Sequence, residues 1–189
     1  IVLVIMAGRP LVLDAIVDKV DAILFAWHPG SMGGPAIVDL LFGDAVPSGK
    51  LPITFPRAVG QIPIFYSHRN TGRPPSKDTV THVDDIEARA SQTSIGNQSF
   101  HLDVDPSPQY CFGYGLSYTE FEYSELTLQP LRVKAGSQVE IDVCVTNTGS
   151  REGEEIVQLY TRDPVASLAR PIRELKDCCR IKRAPGERR

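Results

Sequence analysis

The first 66 residues alternate between wholly apolar runs and segments with one apolar side. Ile1–Met6 is apolar throughout, which is typical of a strand buried on both faces of a parallel sheet. Leu11–Val20 has apolar residues at helical spacing and charged residues on the other side, so it predicts a helix. Asp21–Trp27 predicts a second buried strand.

The same alternation continues further along the chain. Pro35 suits the first position of a helix that stops at Gly43, and Leu51–Phe55 and Ile62–Tyr66 are short extended pieces bounded by prolines. This β-α-β-α order predicts a parallel sheet covered by helices. Because only two full strands are present and such strands need both faces covered, residues 1–66 are interpreted as the second half of an α/β domain.

The middle of the chain has no sustained periodicity. Ser67–Gln109 is rich in Ser, Thr, Asp, Asn and Pro, which predicts a linker or surface excursion that is mobile through Lys77–Gly96. Asn97-Gln98-Ser99 matches an N-glycosylation sequon, a pattern that often arises by chance. Residues 67–120 are therefore assigned to a linker and wrap-around segment.

From about Phe121 the pattern becomes all-β, with apolar and polar residues alternating and Asn147-Thr148-Gly149 as a turn signal. An immunoglobulin-type sandwich needs about seven strands in about 100 residues, so residues 121–189 are interpreted as a β-sandwich cut short. The predicted strands are Val139–Thr146, Glu155–Thr161, Ile172–Leu175 and Cys179–Lys182.

Composition narrows the classes of function. The 189 residues are 42% hydrophobic and 23% charged, with a net charge of −3, which argues against a basic nucleic-acid binder. The longest apolar runs fall well short of the roughly 20 residues that a membrane helix needs, so no membrane span is predicted. The four cysteines are too irregularly spaced for a disulfide framework or a Cys-x-x-Cys metal pair.

Several familiar motifs fail on inspection. Gly43–Lys50 is one residue too long for a phosphate loop and is followed by Leu51 instead of Ser or Thr. Phe112-Gly113-Tyr114-Gly115 lacks the third glycine of a dinucleotide fingerprint. This absence argues against a Rossmann-type oxidoreductase. The four histidines have no partner at metal-ligand spacing, so no metal site and no cofactor are predicted.

One loop remains a candidate binding site after these motifs are excluded. His28–Gly34 follows a predicted parallel strand, and ligands of open parallel sheets bind beyond the carboxyl ends of the strands. Its glycines allow a close backbone approach, so His28, Ser31 and Met32 are the candidate substrate-binding residues. The alternative is a tight strand-to-helix turn that packs against a neighbouring domain.

A series of motifs runs in order along nearly the whole chain: Met6–Pro10, Trp27–Gly34, Leu41–Asp44, Pro47–Pro52, Tyr66–Pro74, Phe112–Thr119, Val145–Gly149, Arg170-Pro171 and Glu174–Lys176. Through these motifs the chain resembles glycoside hydrolase family 3, of the bacterial periplasmic β-glucosidase type. In this family, the motif that matches Phe112–Thr119 joins the C-terminal α/β sandwich domain to a fibronectin type III-like domain. Local departures are Met32, where many relatives have an acidic residue, and Cys178-Cys179, where a glycine or an aromatic residue is usual.

The resemblance implies part of a retaining, exo-acting β-glucosidase that removes terminal non-reducing β-D-glucosyl residues. Such enzymes use two carboxylates about 5 Å apart. In this family the nucleophilic aspartate lies on an N-terminal (β/α)8 barrel, and the acid glutamate usually lies upstream of the strand that matches Ile1–Met6. We therefore assign no catalytic residue to this chain and predict that it is inactive alone.

The resemblance also implies partners and a location. A β-glucoside or oligosaccharide would be the substrate, the barrel domain of the same protein would be the partner, and the location would be periplasmic or extracellular. Two alternatives stay open: β-xylosidase or other β-glycosidase specificity, and a stand-alone, non-catalytic module that binds carbohydrate or protein. Missing strands would leave unpaired edges and apolar faces, so the chain alone is predicted to dissolve poorly or to dimerise.

Overall fold

The structure is a computed structural model that describes residues 1–76, 78–91 and 98–189. Lys77 and residues 92–97 lie outside the described residues. Part of the segment predicted to be mobile, Lys77–Gly96, and Asn97 of the sequon therefore lie outside them as well. No described helix is both long enough and apolar enough to cross a membrane.

The described chain forms two compact units, each assembled from three separate segments. The first contains Ile1–Gly34, Lys50–Tyr114 and Gln158–Asp177, and the second contains Pro35–Gly49, Gly115–Val157 and Cys178–Arg189. The consecutive domains predicted above, 1–66, 67–120 and 121–189, stay a prediction.

The first unit begins with the parallel strand pair that the apolar runs predict. β1 (Val2–Ile5) pairs in parallel with β2 (Ala22–Phe25), from Val2 opposite Ala22 to Ile5 opposite Phe25. Between them, α1 (Asp14–Val17) is a single turn and much shorter than the predicted helix. Leu13 at its start provides no side-chain cap, and three β-branched residues from Ile16 to Val20 lower helix propensity.

The proline-bounded pieces after residue 50 form a core without forming regular strands. Phe55 is almost fully buried and makes one isolated antiparallel bridge with Tyr110. Its ring packs edge-on against Phe25 at 5.1 Å, Trp27 at 6.1 Å and Tyr110 at 6.3 Å between ring centroids. Prolines at 52, 56 and 63 cannot donate to a ladder, which explains why only this bridge forms. Two 3₁₀ turns, Val59–Gln61 and Val83–Asp85, complete the short elements.

The second unit is built around antiparallel strands. β3 (Phe121–Gln129) pairs with β4 (Glu140–Asn147), and the register shifts between Ser124 and Thr127. The chain end lies beside β4, because the amides of Val145 and Asn147 donate to the carbonyls of Arg189 and Glu187 at 2.8 and 3.1 Å.

Two further strands and a helix complete the described elements. β5 (Gly153–Thr161) pairs with β6 (Glu174–Arg183), and α2 spans Gly33–Phe42. The prediction of two short strands between Ile172 and Lys182 was wrong, because one continuous strand covers most of that range. Its central residues are exposed, so polar residues there do not interrupt the strand.

Many large apolar side chains remain exposed in the first unit. Ile1 is 80% and Met6 is 68% exposed at the two ends of β1. In contrast, Leu13, Phe55 and Val145 are the only fully buried hydrophobic residues among those described. The two segments thus have the predicted fold class, α/β followed by all-β, but little buried core.

Candidate functional site

The loops that follow β1 and β2 emerge at one edge of the sheet, because the two strands are parallel. The last hydrogen bond of the pair runs from the amide of Ala26 to the carbonyl of Ile5 at 2.7 Å. Just beyond it, the imidazole of His28 lies against Gly8, where a Cβ would overlap His28 Nε2. Gly8 is therefore required for close approach, and the two loops contact each other through His28.

Trp27 anchors the start of the second loop. Its φ of 53° lies in the left-handed region, which costs a bulky residue about 1–3 kcal/mol. The ring packs edge-on against Phe25 at 4.6 Å and against the buried ring of Phe55. This aromatic packing holds the backbone in a turn that directs the chain away from the sheet.

A glycine turn then leads into the helix. Gly30 has a φ of +69°, and the amide of Gly33 donates to the carbonyl of Gly30 at 3.1 Å. A Cβ at Gly33 would lie 2.7 Å from the Pro29 ring, so a side chain does not fit there. The sequence Pro-Gly-Ser-Met-Gly-Gly thus specifies a tight turn that presents Ser31 and Met32 outward.

The structure places all three predicted site residues on this one loop. His28, Ser31 and Met32 are exposed, and Met32 has 70% of its surface accessible. An imidazole and a hydroxyl can exchange hydrogen bonds with sugar hydroxyls, and a thioether can cover an apolar ring face. Residues 28–34 contain no carboxylate, so the loop can bind a substrate but cannot supply an acid–base pair.

A charged pocket in the first unit contains carboxylates, but its chemistry does not suit a general acid. The cavity has a volume of about 250 Å³ and is lined by Asp163 and Glu174 together with three basic residues. Lys176 Nζ lies 2.5 Å from Glu174, and this hydrogen bond and charge lower the pKa of the Glu174 carboxyl. A glycosidase general acid needs the opposite, a raised pKa.

An aromatic pocket in the first unit was missed by the sequence reasoning. It has a volume of about 170 Å³ and includes Thr54, Tyr66, Phe112 and Tyr160 in its lining. Its residues come from five separate stretches between residue 54 and residue 173, so no local motif marks it. The only signal was the aromatic and proline content of residues 63–66 and 106–112.

No group of three or more His, Cys, Asp or Glu side chains that could hold a metal ion occurs within the described part of the chain.

Comparisons with known proteins give a family match for most of the chain. Residues 1–118 match the model of the glycosyl hydrolase family 3 C-terminal domain, and residues 155–189 match the model of a fibronectin type III-like domain. These matches agree with the order of an α/β segment followed by a β-sandwich segment.

Individual relatives agree with the family models. The chain is 46% identical to a periplasmic β-glucosidase of Salmonella typhimurium and 34% identical to a putative β-xylosidase of Formosa agariphila, over 100% and 99% of its length. It superposes with a TM-score of 0.86 and 35% identity on the crystal structure of a Listeria innocua β-glucosidase in complex with isofagomine, over all of its own length. The chain spans 23%, 22% and 24% of these three proteins.

Proposed function

The chain belongs to glycoside hydrolase family 3, and from this premise we propose that it is part of a retaining, exo-acting β-glucosidase that removes terminal β-D-glucosyl residues. The observation that carries the proposal is the 46% identity, over the whole chain, to a protein named as a periplasmic β-glucosidase. Because the chain spans less than a quarter of that relative, the activity belongs to a longer polypeptide.

Within that polypeptide, this chain contributes binding and no chemistry. A retaining glycosidase needs a nucleophilic carboxylate and a proton-donating carboxylic acid about 5 Å apart, and the His28–Gly34 loop contains neither. His28 and Ser31 hydrogen-bond the sugar or the leaving group, and Met32 covers an apolar face. Held by Trp27 and by the contact between His28 and Gly8, these side chains form one wall of the substrate pocket.

The experiment compares the 189-residue chain with the complete polypeptide that contains it. Both are purified and assayed with 4-nitrophenyl β-D-glucopyranoside. We expect turnover by the complete polypeptide and none by the chain alone. Turnover by the chain alone would overturn the assignment of a binding-only role, and absence of turnover by both would favour a non-catalytic binding module.

β-Xylosidase activity is the second candidate, because two Formosa agariphila relatives named as a β-xylosidase and a putative β-xylosidase are 36% and 34% identical. The two sugars differ by the C6 hydroxymethyl group. A pocket that hydrogen-bonds the O6 hydroxyl loses that bond with xylosides. We expect the complete polypeptide to have a higher kcat/KM for the β-glucoside than for the β-xyloside, and the reverse order would replace the proposed specificity.

The 46% identity to the periplasmic β-glucosidase of Salmonella typhimurium supports a periplasmic or secreted location. Fractionation of the native cells should recover the complete polypeptide in the periplasm or the medium. Recovery with the cytoplasmic fraction would contradict this location.

A further inference from the structure

The aromatic pocket has a wall of stacked rings. Tyr66 and Phe112 stack with ring centroids 4.2 Å apart and an interplanar angle of 16°. Tyr160 meets Tyr66 edge-on at 6.0 Å, and its hydroxyl donates to Gln158 Oε1 at 2.5 Å. Because the rings hold one another in place, this wall needs little reordering when a ligand binds.

Two prolines of the lining, Pro106 and Pro108, are held by hydrogen bonds from a neighbouring segment. The carbonyl of Ser107, between them, accepts from Arg57 Nε at 3.1 Å. The carbonyl just before Pro106 accepts from Nε2 of the buried Gln61 at 2.8 Å. The apolar part of the pocket is therefore fixed before any ligand arrives.

Arg173 brings a positive charge to this lining, and backbone contacts hold its segment at the pocket. The amide of Ile172 donates to the carbonyl of His68 at 2.9 Å. Next to it, Pro171 makes an isolated antiparallel bridge with Arg69. The backbone that carries the Arg173 side chain is thus tied to the segment that carries Tyr66.

The guanidinium of Arg173 is available to an anion. The side chain is exposed, and among the described residues it makes no ion pair. Its neighbour Glu174 pairs with Lys176 instead, and the pocket lining contains no Asp or Glu that could neutralise the charge. A guanidinium can bind a carboxylate through two parallel hydrogen bonds.

We propose that the aromatic pocket binds an aromatic carboxylate, which is a planar ring that carries one acid group. The ring lies among the aromatic side chains and prolines of the lining, and the carboxylate pairs with Arg173. The volume of about 170 Å³ suits one ring with a small substituent, since an apolar cavity of about 150 Å³ takes up benzene.

A sugar matches this lining less well than an aromatic acid does. Sugar hydroxyls need acceptors as well as donors, and Arg173 provides donors only. His68 Nδ1 lies 3.2 Å from the carbonyl of Arg69, to which it donates, so the neutral imidazole keeps one acceptor, Nε2. The lining contains no Asp, Glu, Asn or Gln, so the other hydroxyls would find no carboxylate or amide side chain to accept from them.

The test uses two probes of nearly equal size, 4-fluorobenzoate and 4-fluorobenzamide, which differ in charge at neutral pH. Their dissociation constants are measured by fluorine NMR on the complete polypeptide that contains this chain and on the variants Arg173→Gln and Arg170→Gln. Arg173→Gln removes the charge from the aromatic pocket. Arg170→Gln is the matched control, because Arg170 is also exposed but lines the charged pocket and not the aromatic one.

We expect the wild type to bind 4-fluorobenzoate more tightly than 4-fluorobenzamide. Arg173→Gln should weaken 4-fluorobenzoate binding about tenfold, the effect of a lost hydrogen bond to a charged group, and should leave 4-fluorobenzamide binding unchanged. Arg170→Gln should keep both dissociation constants. Both variants should keep the wild-type melting temperature, because each replaces an exposed side chain.

Three outcomes would overturn the proposal: no saturable binding of 4-fluorobenzoate at millimolar concentration, unchanged 4-fluorobenzoate binding in Arg173→Gln, or an equal loss in Arg170→Gln, which would indicate general charge attraction. Displacement of 4-fluorobenzoate by methyl β-D-glucopyranoside would also overturn it, because a sugar would then compete for the pocket. The proposal does not depend on glycosidase activity, since binding is measured without turnover.

Discussion

Asn147 shows how much one side chain can organise in a unit with little apolar core. Its amide is fully buried and makes four hydrogen bonds. Nδ2 donates to the carbonyls of Arg151 and Arg183 at 2.7 and 3.0 Å, and Oδ1 accepts from Thr119 Oγ1 and the Gly149 amide at 2.7 and 3.0 Å. All the polar capacity of the amide is used, which is the condition for a buried polar group to stabilise a fold.

Replacing Asn147 with Ala should be among the most damaging substitutions in the chain. It removes four hydrogen bonds and leaves buried groups unpaired, so we expect the free energy of unfolding to fall by about 2–4 kcal/mol. Thr148→Ala, at the exposed neighbour, is the matched control and should cost less than about 1 kcal/mol. Urea unfolding measures both, and equal effects would show that the amide is not central.

Gly8 offers a residue-scale test of the binding role proposed for the His28–Gly34 loop. A Cβ there would displace the His28 imidazole, which can rotate outward because it is exposed. We expect Gly8→Ala to raise KM several-fold in the complete polypeptide and to cost no more than about 1.5 kcal/mol of stability, the cost of an unfavourable rotamer. Gly34→Ala is the control, since nothing lies within 4 Å of its Cβ position, and it should keep the wild-type KM. An unchanged KM in Gly8→Ala would remove His28 from the substrate wall.

Sequence alone predicted the turn at Asn147 and the loop between β2 and α2, because both depend on neighbouring residues. It did not predict the hydrogen bonds of Asn147, whose partners lie at residues 119, 151 and 183. The aromatic pocket was missed for the same reason, since its lining reaches from residue 54 to residue 173. Local patterns cannot show which distant segments meet.

At the scale of elements, strands were predicted well where an apolar pattern ran without proline, as in β1, β2 and β4. α2 was also predicted, and its end is fixed by Gly43 at a φ of +83° and by Arg151 Nη2, which donates to the Gly43 carbonyl at 3.1 Å. The predicted helix Leu11–Val20 was too long, since α1 spans only Asp14–Val17. The prediction used the helical spacing of apolar residues and did not consider capping or β-branching. Spacing alone does not stabilise a short helix.

The pairing of Tyr123 on β3 with Glu155 on β5 predicts a dependence of stability on pH. Burial raises the pKa of the Tyr123 phenol, and the charge of Glu155, which accepts its hydrogen bond at 3.1 Å, raises it further. A group whose pKa is higher in the folded state contributes stability below its unfolded value, about 10 for tyrosine, and that contribution is lost as the pH rises further.

We therefore expect the free energy of unfolding to fall above about pH 10, and to fall less steeply in Tyr123→Phe. Thr148→Ala is the control: it removes no titratable group, so it should keep the wild-type slope. Denaturant unfolding between pH 8 and pH 11 measures these slopes. Parallel curves for wild type and Tyr123→Phe would contradict the assignment.

At the scale of the whole molecule, the exposed apolar side chains predict association. β1 and β2 form a two-stranded parallel sheet, and Ile1, Val2 and Met6 are exposed beside it. Parallel strands are normally covered on both faces, so these surfaces favour contact with other protein. In the complete polypeptide, the proposed preceding domains would cover them.

We expect the 189-residue chain alone to self-associate in a concentration-dependent way, as measured by size-exclusion chromatography with light scattering. Val2→Lys combined with Met6→Lys should reduce association by placing charges beside the sheet. The control reverses the charge at two exposed residues outside this sheet, with Arg132→Glu and Lys134→Glu, and should leave association unchanged. A monodisperse monomer that melts cooperatively would contradict this prediction.

The division of both units into three segments has a consequence for synthesis. The first unit needs Gln158–Asp177 and the second needs Cys178–Arg189, so neither can close until nearly the whole chain has been made. Contacts between segments so far apart in sequence carry a large loop-closure entropy and slow folding. Each unit therefore stays open in the nascent polypeptide until its last segment, Gln158–Asp177 or Cys178–Arg189, has emerged from the ribosome, and it should depend on chaperones until then.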